Sequence, residues 1–329
     1  MLERILGRSG TAEVVFRRAA TAIGPLKKKI KRVIRGNSKT EIATEKNEIK
    51  IKSLKKRLRE CGIHSGDIVL IHSSLDGLRS LGLTTEEILD LILEVYSEMT
   101  VVFAAYPIEP IKKKESYKYD PQKTLCWTGM LPNMFLKREG SVRSLFPYNS
   151  LAAKGKEAKA MMIDNIMADI PHGKGTAWDY CRLNHAKILF LGTTSREANT
   201  MAIHMVPDVM GDKWPIENWY EERKYIITNN GKKFEKVIKV QNGFWYQFVN
   251  EYKTDRLLKN NKLLIDLSFE NVPLEIVPDC YEMIEYLIYQ CENGKLMYSI
   301  PQKYYKRIDR RPAMEDIINI MVAQGGENE

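Results

Sequence analysis

A continuous apolar run followed directly by two serines is the feature that most constrains how this chain folds. Ile68-Val69-Leu70-Ile71 lies between the turn pair Gly66-Asp67 and the segment His72-Ser73-Ser74. An unbroken apolar run bounded by turn residues is typical of a strand that is buried on both faces, as in a parallel sheet. We therefore predict a strand over residues 67–72, with Ser73 and Ser74 at its carboxyl end.

The segments after this strand alternate between helix and strand patterns. Thr84 and Glu87 have the spacing of a capping box, which predicts the start of a helix, and residues 101–105 form a second apolar run. Such alternation indicates helices packed on both faces of one sheet. We predict an α/β fold in which a mixed, mostly parallel sheet is flanked by helices as an α/β/α sandwich.

A second unit of the same kind is predicted further along the chain. Residues 187–191 read as a strand that ends at Gly192, and Thr194 with Glu197 can cap a helix that carries His204 near its far end. A strand followed by a turn and a helix places side chains at the carboxyl edge of a sheet, where ligands collect. The same edge is therefore predicted to hold the functional site.

The C-terminal part has a different pattern. Tyr225-Ile226-Ile227-Thr228, the Asn230-Gly231 pair and residues 234–240 together predict a β-hairpin with a two-residue turn. A last helix is predicted over residues 279–291. The stretch 107–127 has neither pattern, and an irregular segment of that length is more often functional than idle.

Basic residues are concentrated at the beginning of the chain. Residues 1–60 contain 18 Lys and Arg against 6 Asp and Glu, a net charge of +12, and because the whole chain carries +9 the remainder carries −3. We predict a basic helical extension and linker over residues 1–48, a single main domain over 49–300 and a basic tail over 301–329. A chain of 329 residues with 44% hydrophobic content can bury a sizeable core.

The basic extension has an amphipathic core between Leu26 and Arg35, where four apolar side chains share one helical face. This pattern suits an anionic membrane surface, which attracts each nearby basic side chain by about 1 kcal/mol. A solvated basic helix that packs on the body or on a second subunit is the alternative. Nucleic acid is not a predicted partner, because no aromatic residues interleave the cluster and no reading motif accompanies it.

The cysteines and the hydropathy pattern indicate the compartment. The five cysteines include no C-x-x-C pair, which favours a reducing environment and argues against a zinc site, so no metal is predicted. The chain contains no run of about 18 apolar residues that could span a bilayer and no secretory signal. We predict a cytoplasmic protein, peripheral at the inner face of the membrane if residues 1–35 bind it.

Three separated segments carry a resemblance to a known family. They are Ile71-His72-Ser73-Ser74-Leu75, then Arg143-Ser144-Leu145-Phe146-Pro147-Tyr148-Asn149-Ser150-Leu151-Ala152-Ala153-Lys154-Gly155, and Asn199-Thr200-Met201-Ala202-Ile203-His204. Their order and spacing between about residues 51 and 297 resemble the aminoglycoside 3-N-acetyltransferase family. The second segment matches that family's RS-x-HP-x-x-S-x-AA-x-G string except that Phe146 replaces the histidine. The resemblance implies transfer of an acetyl group from acetyl-CoA to an amine of a sugar.

The resemblance also implies roles for particular residues. His204 matches the family's catalytic histidine, although the glutamate that normally follows is missing and Asp208 is the nearest carboxylate to replace it. A buried core histidine is the alternative reading of His204. Asp120 matches an aspartate near the acceptor amine or the base, and it can equally be a turn residue because it precedes a proline. Cys126 is a further nucleophile in principle, but the resembling enzymes transfer the acyl group directly.

The same resemblance places the donor. Ser73, Ser74 and Leu75 stand where the family binds CoA, and hydroxyl and amide groups at a strand end suit phosphate or pantetheine oxygens. Arg143 and Ser144 belong to the most specific segment. Arg143 can pair with a CoA phosphate or with a structural carboxylate, and both readings stay open.

The acceptor is predicted from charge. Residues 106–124 contain five lysines against three carboxylates, which favours an anionic amino sugar such as a nucleotide-linked precursor of a surface polysaccharide. An aminoglycoside, as in antibiotic resistance, is the alternative acceptor, and a hydroxyl acceptor is a further one. A catalytically silent scaffold of the same fold is the rival from another class. The sequence leaves a homo-oligomer open.

Overall fold

A seven-stranded mixed sheet organises the chain in the computed structural model, which describes residues 9–22, 45–110, 114–198 and 201–306. The strand order is β4-β5-β2-β1-β6-β10-β9. The three central strands, β2, β1 and β6, are parallel, whereas β5, β4, β10 and β9 are added antiparallel at the two sides. The strands are β1 (Ile68–Ser73), β2 (Thr100–Ala104), β3 (Tyr117–Tyr119), β4 (Val142–Arg143), β5 (Leu151–Lys154), β6 (Lys187–Leu191), β7 (Tyr220–Asn229), β8 (Lys232–Gln241), β9 (Ile265–Asp266) and β10 (Leu274–Val277).

Helices cover both faces of this sheet. The helices are α1 (Gly10–Ala22), α2 (Glu48–Glu60), α3 (Leu75–Leu78), α4 (Thr85–Val95), α5 (Met130–Phe135), α6 (Ala158–Met162), α7 (Ala177–Leu183), α8 (Met205–Met210), α9 (Glu251–Asn260) and α10 (Cys280–Glu292). Alternate residues of β1 point to opposite sides, as the period of a strand requires. Leu70 packs in the core under α7, α8 and α10, while Val69 and Ile71 pack in the core under α2, α4 and α5.

A smaller three-stranded sheet lies beside the main one. β3 is parallel to β7, and β7 pairs with β8 as an antiparallel hairpin. Asn230 and Gly231 connect the hairpin with φ values of 48° and 79°, which is the left-handed pair of a type I′ turn. The predicted hairpin is therefore confirmed, and its sheet buries Tyr119, Phe146 and Tyr225 in a separate apolar cluster.

Most predicted elements are confirmed, with two corrections. The α/β/α class, the strands at 67–72, 101–105 and 187–191 and the last helix are all present. The sheet has fewer parallel pairs than predicted, because β5 and β10 run antiparallel to the central three strands and β4 and β9 pair antiparallel with them in turn. The predicted helix from Thr194 is also wrong, since residues 194–198 form turns and His204 ends a short 3₁₀ turn before α8. The hydrogen bond from Glu197 N to Thr194 Oγ1 is nevertheless made, at 3.2 Å.

Part of the predicted extension packs on the body. The Glu13 side chain of α1 is fully buried and accepts hydrogen bonds from Tyr252 N, 3.2 Å from each carboxylate oxygen, at the start of α9. Val14 joins the larger hydrophobic core, and α1 contacts the 3₁₀ turn Gly243–Phe248 and α9. The basic segment from Leu26 to Arg35 and the tail beyond residue 306 lie outside the described residues. Among the described helices, none is long and apolar enough to cross a membrane.

Two glycines allow a close contact between α3 and the residue that follows β6. A Cβ atom at Gly77 would lie 2.0 Å from the carbonyl oxygen of Gly192, and backbone cannot give way as a side chain can. We expect Gly77→Ala to lower the free energy of unfolding by about 1–3 kcal/mol, the usual effect of overpacking. Gly243→Ala is the control, because a Cβ there meets no atom within 4 Å. Urea denaturation of both variants measures the difference, and equal midpoints would contradict the close contact.

Candidate active site

A cleft opens at the carboxyl end of the central strands. It has a volume of about 590 Å³ and is lined by Ser73, Ser74, Thr128 and Thr193 together with Gly77 and Gly192. Ser74 precedes α3, and its backbone N–H donates to Leu191 O on the neighbouring strand. Its hydroxyl makes no capping hydrogen bond to α3. The cleft thus presents hydroxyls and closely approaching backbone, where the sequence placed the donor.

A second cavity adjoins this cleft. It has a volume of about 370 Å³ and four of its eight lining residues are aromatic. Tyr106 and Trp127 line both cavities, and their rings contact each other with centroids 5.7 Å apart. The two rings therefore form a shared wall, and a group that passes between the cavities must pass them. The other residues that line this second cavity, which we call the acceptor pocket, are Pro107, Glu109, Tyr148, Asn149, Arg223 and Tyr246.

The charged groups of the second cavity neutralise each other. Arg223 Nη1 donates to Glu109 at 2.9 Å, and Arg223 Nη2 donates to Glu221 at 3.0 Å. Tyr225 also donates to Glu109 through a short hydrogen bond. Burial raises the pKa of Glu109 above its usual value, although Tyr225 and Arg223 oppose that shift. The guanidinium of Arg223 is therefore paired with carboxylates and does not attract an anionic acceptor strongly.

A histidine and an aspartate form a buried pair behind the pocket wall. His172 Nδ1 lies 2.9 Å from Asp208 Oδ2, and Tyr220 donates to the other carboxylate oxygen at 2.7 Å. Asn149, which lines the pocket, places its Nδ2 3.2 Å from His172 Nε2. Because Nδ1 donates to a carboxylate, the lone pair of the imidazole is assigned to Nε2. Asn149 lies between this nitrogen and the pocket. Asn149 holds this position with a left-handed φ of 52°.

His204, the predicted base, is also buried but is differently partnered. Its Nδ1 lies 2.6 Å from the Tyr298 hydroxyl, and its ring meets Tyr246 edge-on at 5.6 Å. Its Nε2 has no hydrogen-bond partner among the described residues. Burial, with a contribution from His172, lowers the pKa of His204 to about 3. The expected pairing of Asp208 with His204 is not present, because Asp208 bonds to His172 instead.

Three other predicted site residues have structural partners. Asp120 accepts a hydrogen bond from Gln122 N at 2.9 Å and does not line either cavity, so the turn reading describes its position. Ser144 Oγ bonds to Asn165 at 2.7 Å and is buried. Arg143 donates to the carbonyls of Thr124 and Ala105 and to Ser150 Oγ. The prediction that Arg143 and Ser144 bind the cofactor therefore gains no support, since neither lines the donor cleft.

Two of the three residues predicted to bind the donor, Ser73, Ser74 and Leu75, line the cleft at the strand end. Both serines line the cleft, and Leu75 is the first residue of α3 but is not among the lining residues. Cys126 is buried, and burial raises the pKa of its thiol, which disfavours a thiolate nucleophile. No group of three or more His, Cys, Asp and Glu side chains placed to hold a metal occurs in the described part of the chain.

Sequence reasoning missed His172, Glu109, Arg223 and Tyr106. His172 lies in Pro171-His172-Gly173, between two short helical segments, and nothing local indicates that it meets a residue 36 positions later. Glu109 lies in the irregular segment 107–127 that was predicted to be functional, and Tyr106 directly precedes that segment. The sequence therefore indicated a functional segment but did not identify the individual side chains in it that line the pocket.

Two buried histidines make the fold sensitive to acid. Burial lowers the pKa of His72 to about 4 and that of His204 to about 3, from 6.5. As the pH decreases below 6.5, these two histidines bind protons in the unfolded chain but not in the native state. The free energy of unfolding therefore decreases as the pH is lowered, until the pH reaches the native-state pKa values. Between pH 7.5 and 5.5 we expect the pair to lower the free energy of unfolding by about 3 kcal/mol.

Paired variants separate this effect from the protonation of carboxylates. His72→Gln should reduce the loss by about half, whereas His64→Gln should preserve it because His64 is exposed. Urea denaturation at the two pH values measures each change. An identical pH dependence in His72→Gln and the wild type would show that folding does not lower the pKa of His72.

Comparisons with solved structures show the same fold. The chain is similar in structure to the apoenzyme of aminoglycoside acetyltransferase AAC(3)-IVa, with a TM-score of 0.60, 18% identity and coverage of 77% of this chain and 92% of that one. It is similar to AAC-IIIb in a binary complex with CoASH, with a TM-score of 0.63, 16% identity and coverage of 76% and 98%. It is also similar to AAC-VIa bound to sisomicin, with a TM-score of 0.60, 16% identity and coverage of 76% and 98%.

At the level of sequence, comparison with curated proteins gave no match. A family profile, however, matches residues 70–270, which is more than half of the chain, and this profile describes aminoglycoside 3-N-acetyltransferase. The match includes the strand end at Ser73, the segment around Arg143 and the residues from His172 to Asp208. The chain therefore belongs to the aminoglycoside 3-N-acetyltransferase family, a family of acyl-CoA-dependent N-acyltransferases.

Proposed function

We propose that this protein transfers an acetyl group from acetyl-CoA to an amine of an aminoglycoside or a related cationic amino sugar. The observation that carries the proposal is the junction of two cavities at Tyr106 and Trp127, with a buried His172–Asp208 pair behind the second one. Direct transfer needs a donor site, an acceptor site and a base at one place. The relative bound to CoASH supports acetyl-CoA as the donor.

The donor site is the strand-end cleft. Its hydroxyls at Ser73, Ser74 and Thr128 can bond to the polar groups of the pantetheine arm, and the absence of side chains at Gly77 and Gly192 lets backbone approach the ligand. Asp76 also lines this cleft, but its carboxylate is paired with Arg79 at 2.6 Å. That ion pair limits the repulsion between Asp76 and the phosphates of CoA.

The acceptor site favours a cation over an anion. Aromatic faces attract ammonium groups, and Tyr106, Trp127, Tyr148 and Tyr246 supply four rings around the second cavity. Arg223 is paired with two carboxylates and offers little attraction to a phosphate. An aminoglycoside acceptor is therefore better supported than the nucleotide-linked sugar predicted from the lysines of residues 106–124. Relatives bound to sisomicin, apramycin and gentamicin support the same choice.

The base is assigned to His172. An acceptor amine in its neutral form that displaces the Asn149 amide from His172 Nε2 can attack the thioester carbonyl carbon, and the imidazole takes one N–H proton as the C–N bond forms, while Asp208 stabilises the imidazolium. The tetrahedral intermediate then collapses, the C–S bond breaks, and the CoA thiolate takes that proton from His172. Tyr220 holds Asp208 in place from the other side.

His204 is the second candidate for the base, because its buried Nε2 has no hydrogen-bond partner among the described residues and its ring contacts Tyr246 of the acceptor pocket. A pKa near 3 makes it a weak acceptor for the proton of an ammonium group. We therefore propose that His204 positions Tyr246 and Tyr298, and that it does not take the proton.

Release of the CoA thiol, measured with acetyl-CoA and a panel of acceptors, tests the proposal. His172→Gln and Asp208→Asn should each lower kcat about 100-fold or more, the usual contribution of a general base. His185→Gln is the matched control, because His185 forms the same kind of pair with Asp279, at 2.8 Å, on the surface. A larger loss in His204→Gln than in His172→Gln would assign the base to His204.

The choice of acceptor is tested in the same assay. Aminoglycosides should be turned over faster than nucleotide-linked amino sugars, and Glu109→Gln should raise KM for a cationic acceptor, because it removes the carboxylate that lines the second cavity and leaves Arg223 with Glu221. Faster turnover of the nucleotide-linked sugars would reverse the acceptor assignment. Transfer to hydroxyls alone would indicate O-acetylation, and no turnover with any acceptor would favour the silent scaffold.

The attraction of residues 1–35 to an anionic membrane surface stays a prediction from the sequence pattern. Sedimentation of the full chain with vesicles that contain phosphatidylserine tests it, and vesicles of phosphatidylcholine are the control. Binding to the anionic vesicles should weaken as salt is added, because screening shortens the range of the attraction. Equal binding to both kinds of vesicle would remove the electrostatic basis for a peripheral location.

A further inference from the structure

Tyr106 occupies the point where the two cavities meet. It is the second residue after β2, and its carbonyl accepts a hydrogen bond from Trp127 N at 3.0 Å. The next residue back, Ala105, is bonded to Ser150 O at 2.9 Å, so the backbone on this side is fixed as well. Tyr106 lines the donor cleft and the acceptor pocket at once, although only 4% of its surface is exposed.

The hydroxyl of Tyr106 is not used by the protein. It is buried and has no hydrogen-bond partner among the residues that the structure describes. A buried polar group without a partner costs about 1–3 kcal/mol, so a group of this kind at a ligand site points to a partner supplied by the ligand. The nearby hydroxyls of Tyr148 and Tyr246 lie 3.4 Å from each other and line only the acceptor pocket.

The protonation state of Tyr106 suits a donor. Burial raises the pKa of its hydroxyl well above the usual value, and Tyr246 and Tyr148 reinforce the shift. Tyr106 therefore keeps its proton throughout the range in which the fold is stable. A neutral O–H group in a site shielded from water is an effective donor to a developing negative charge, because no solvent competes for it.

We propose that the Tyr106 hydroxyl donates a hydrogen bond to the carbonyl oxygen of the thioester and stabilises the oxyanion that forms there. This inference rests on the proposed acetyl transfer. As the amine nitrogen bonds to the carbonyl carbon, the π electron pair moves to the oxygen and Tyr106 O–H bonds to that oxyanion without losing its proton. The pair then returns, the C–S bond breaks and the thiolate leaves.

Tyr106→Phe isolates the hydroxyl, because phenylalanine retains the ring that packs on Trp127. We expect kcat for acetyl transfer to fall about 100-fold, the usual loss when one oxyanion donor is removed. The Kd for CoA, measured by calorimetry, should change less than about twofold, since CoA itself lacks the reacting carbonyl. The midpoint of urea unfolding should stay level or rise, because the variant removes a buried hydroxyl that has no partner.

Tyr96→Phe is the matched control. Tyr96 is a buried tyrosine that lines neither cavity, and its hydroxyl donates to Leu58 O at 3.2 Å. This variant should retain the wild-type kcat while losing some stability, which is the opposite pattern to that of Tyr106→Phe.

Two results would overturn the inference on its own. One is a wild-type kcat in Tyr106→Phe, and the other is a loss of activity that is matched by a loss of CoA affinity or of folding stability. A wild-type protein that neither binds CoA nor releases thiol would overturn the proposed function, and the role of Tyr106 with it.

Discussion

The buried guanidinium of Arg143 holds the candidate site together. Its donors bond to the carbonyl of Thr124, the carbonyl of Ala105 and the hydroxyl of Ser150, and its plane lies over the ring of Tyr119, 5.2 Å from the centroid. Three of these partners, Ala105, Tyr119 and Thr124, lie in the stretch between β2 and α5, and Ser150 immediately precedes β5. Five donors in a rigid plane allow one side chain to tie several backbone segments, which a lysine cannot do.

The consequences extend to both cavities. Fixing Ala105 fixes the adjacent Tyr106, and fixing Ser150 fixes the adjacent Asn149 in its left-handed conformation. Tyr106 forms part of the wall shared by the two cavities, and Asn149 lies against His172. Arg143 thus acts through backbone geometry: it lines neither of these cavities but fixes the backbone next to Tyr106 and Asn149.

The sequence predicted the fold well because the fold depends on local patterns. The apolar run 68–71, the Thr84–Glu87 capping box and the Asn230-Gly231 turn each determine a structure by contacts within a few residues, and all three are present. The antiparallel outer strands were harder, since β4 and β9 have two residues each and carry no periodic signal. Short strands of this kind are determined by what they pair with.

The site was less predictable for the same reason. The pairing of Asp208 with His172, and not with the nearer His204, depends on how the loop before α7 packs against α8. Arg143 is an ionic side chain whose partners are backbone carbonyls, and carbonyls are invisible in a sequence. A resemblance identifies which segments meet, but contacts between side chains from different segments follow from the packed structure.

The contact between Asn149 and His172 also bears on how an acetyltransferase avoids wasting its donor. Thioesters hydrolyse when a base activates water next to them, and a neutral imidazole is such a base. In this molecule the lone pair of His172 is occupied by an amide of the protein itself, within a buried network that excludes solvent. Only a group that can take the place of that amide reaches the imidazole, so the proposed base is already engaged when acetyl-CoA is bound alone.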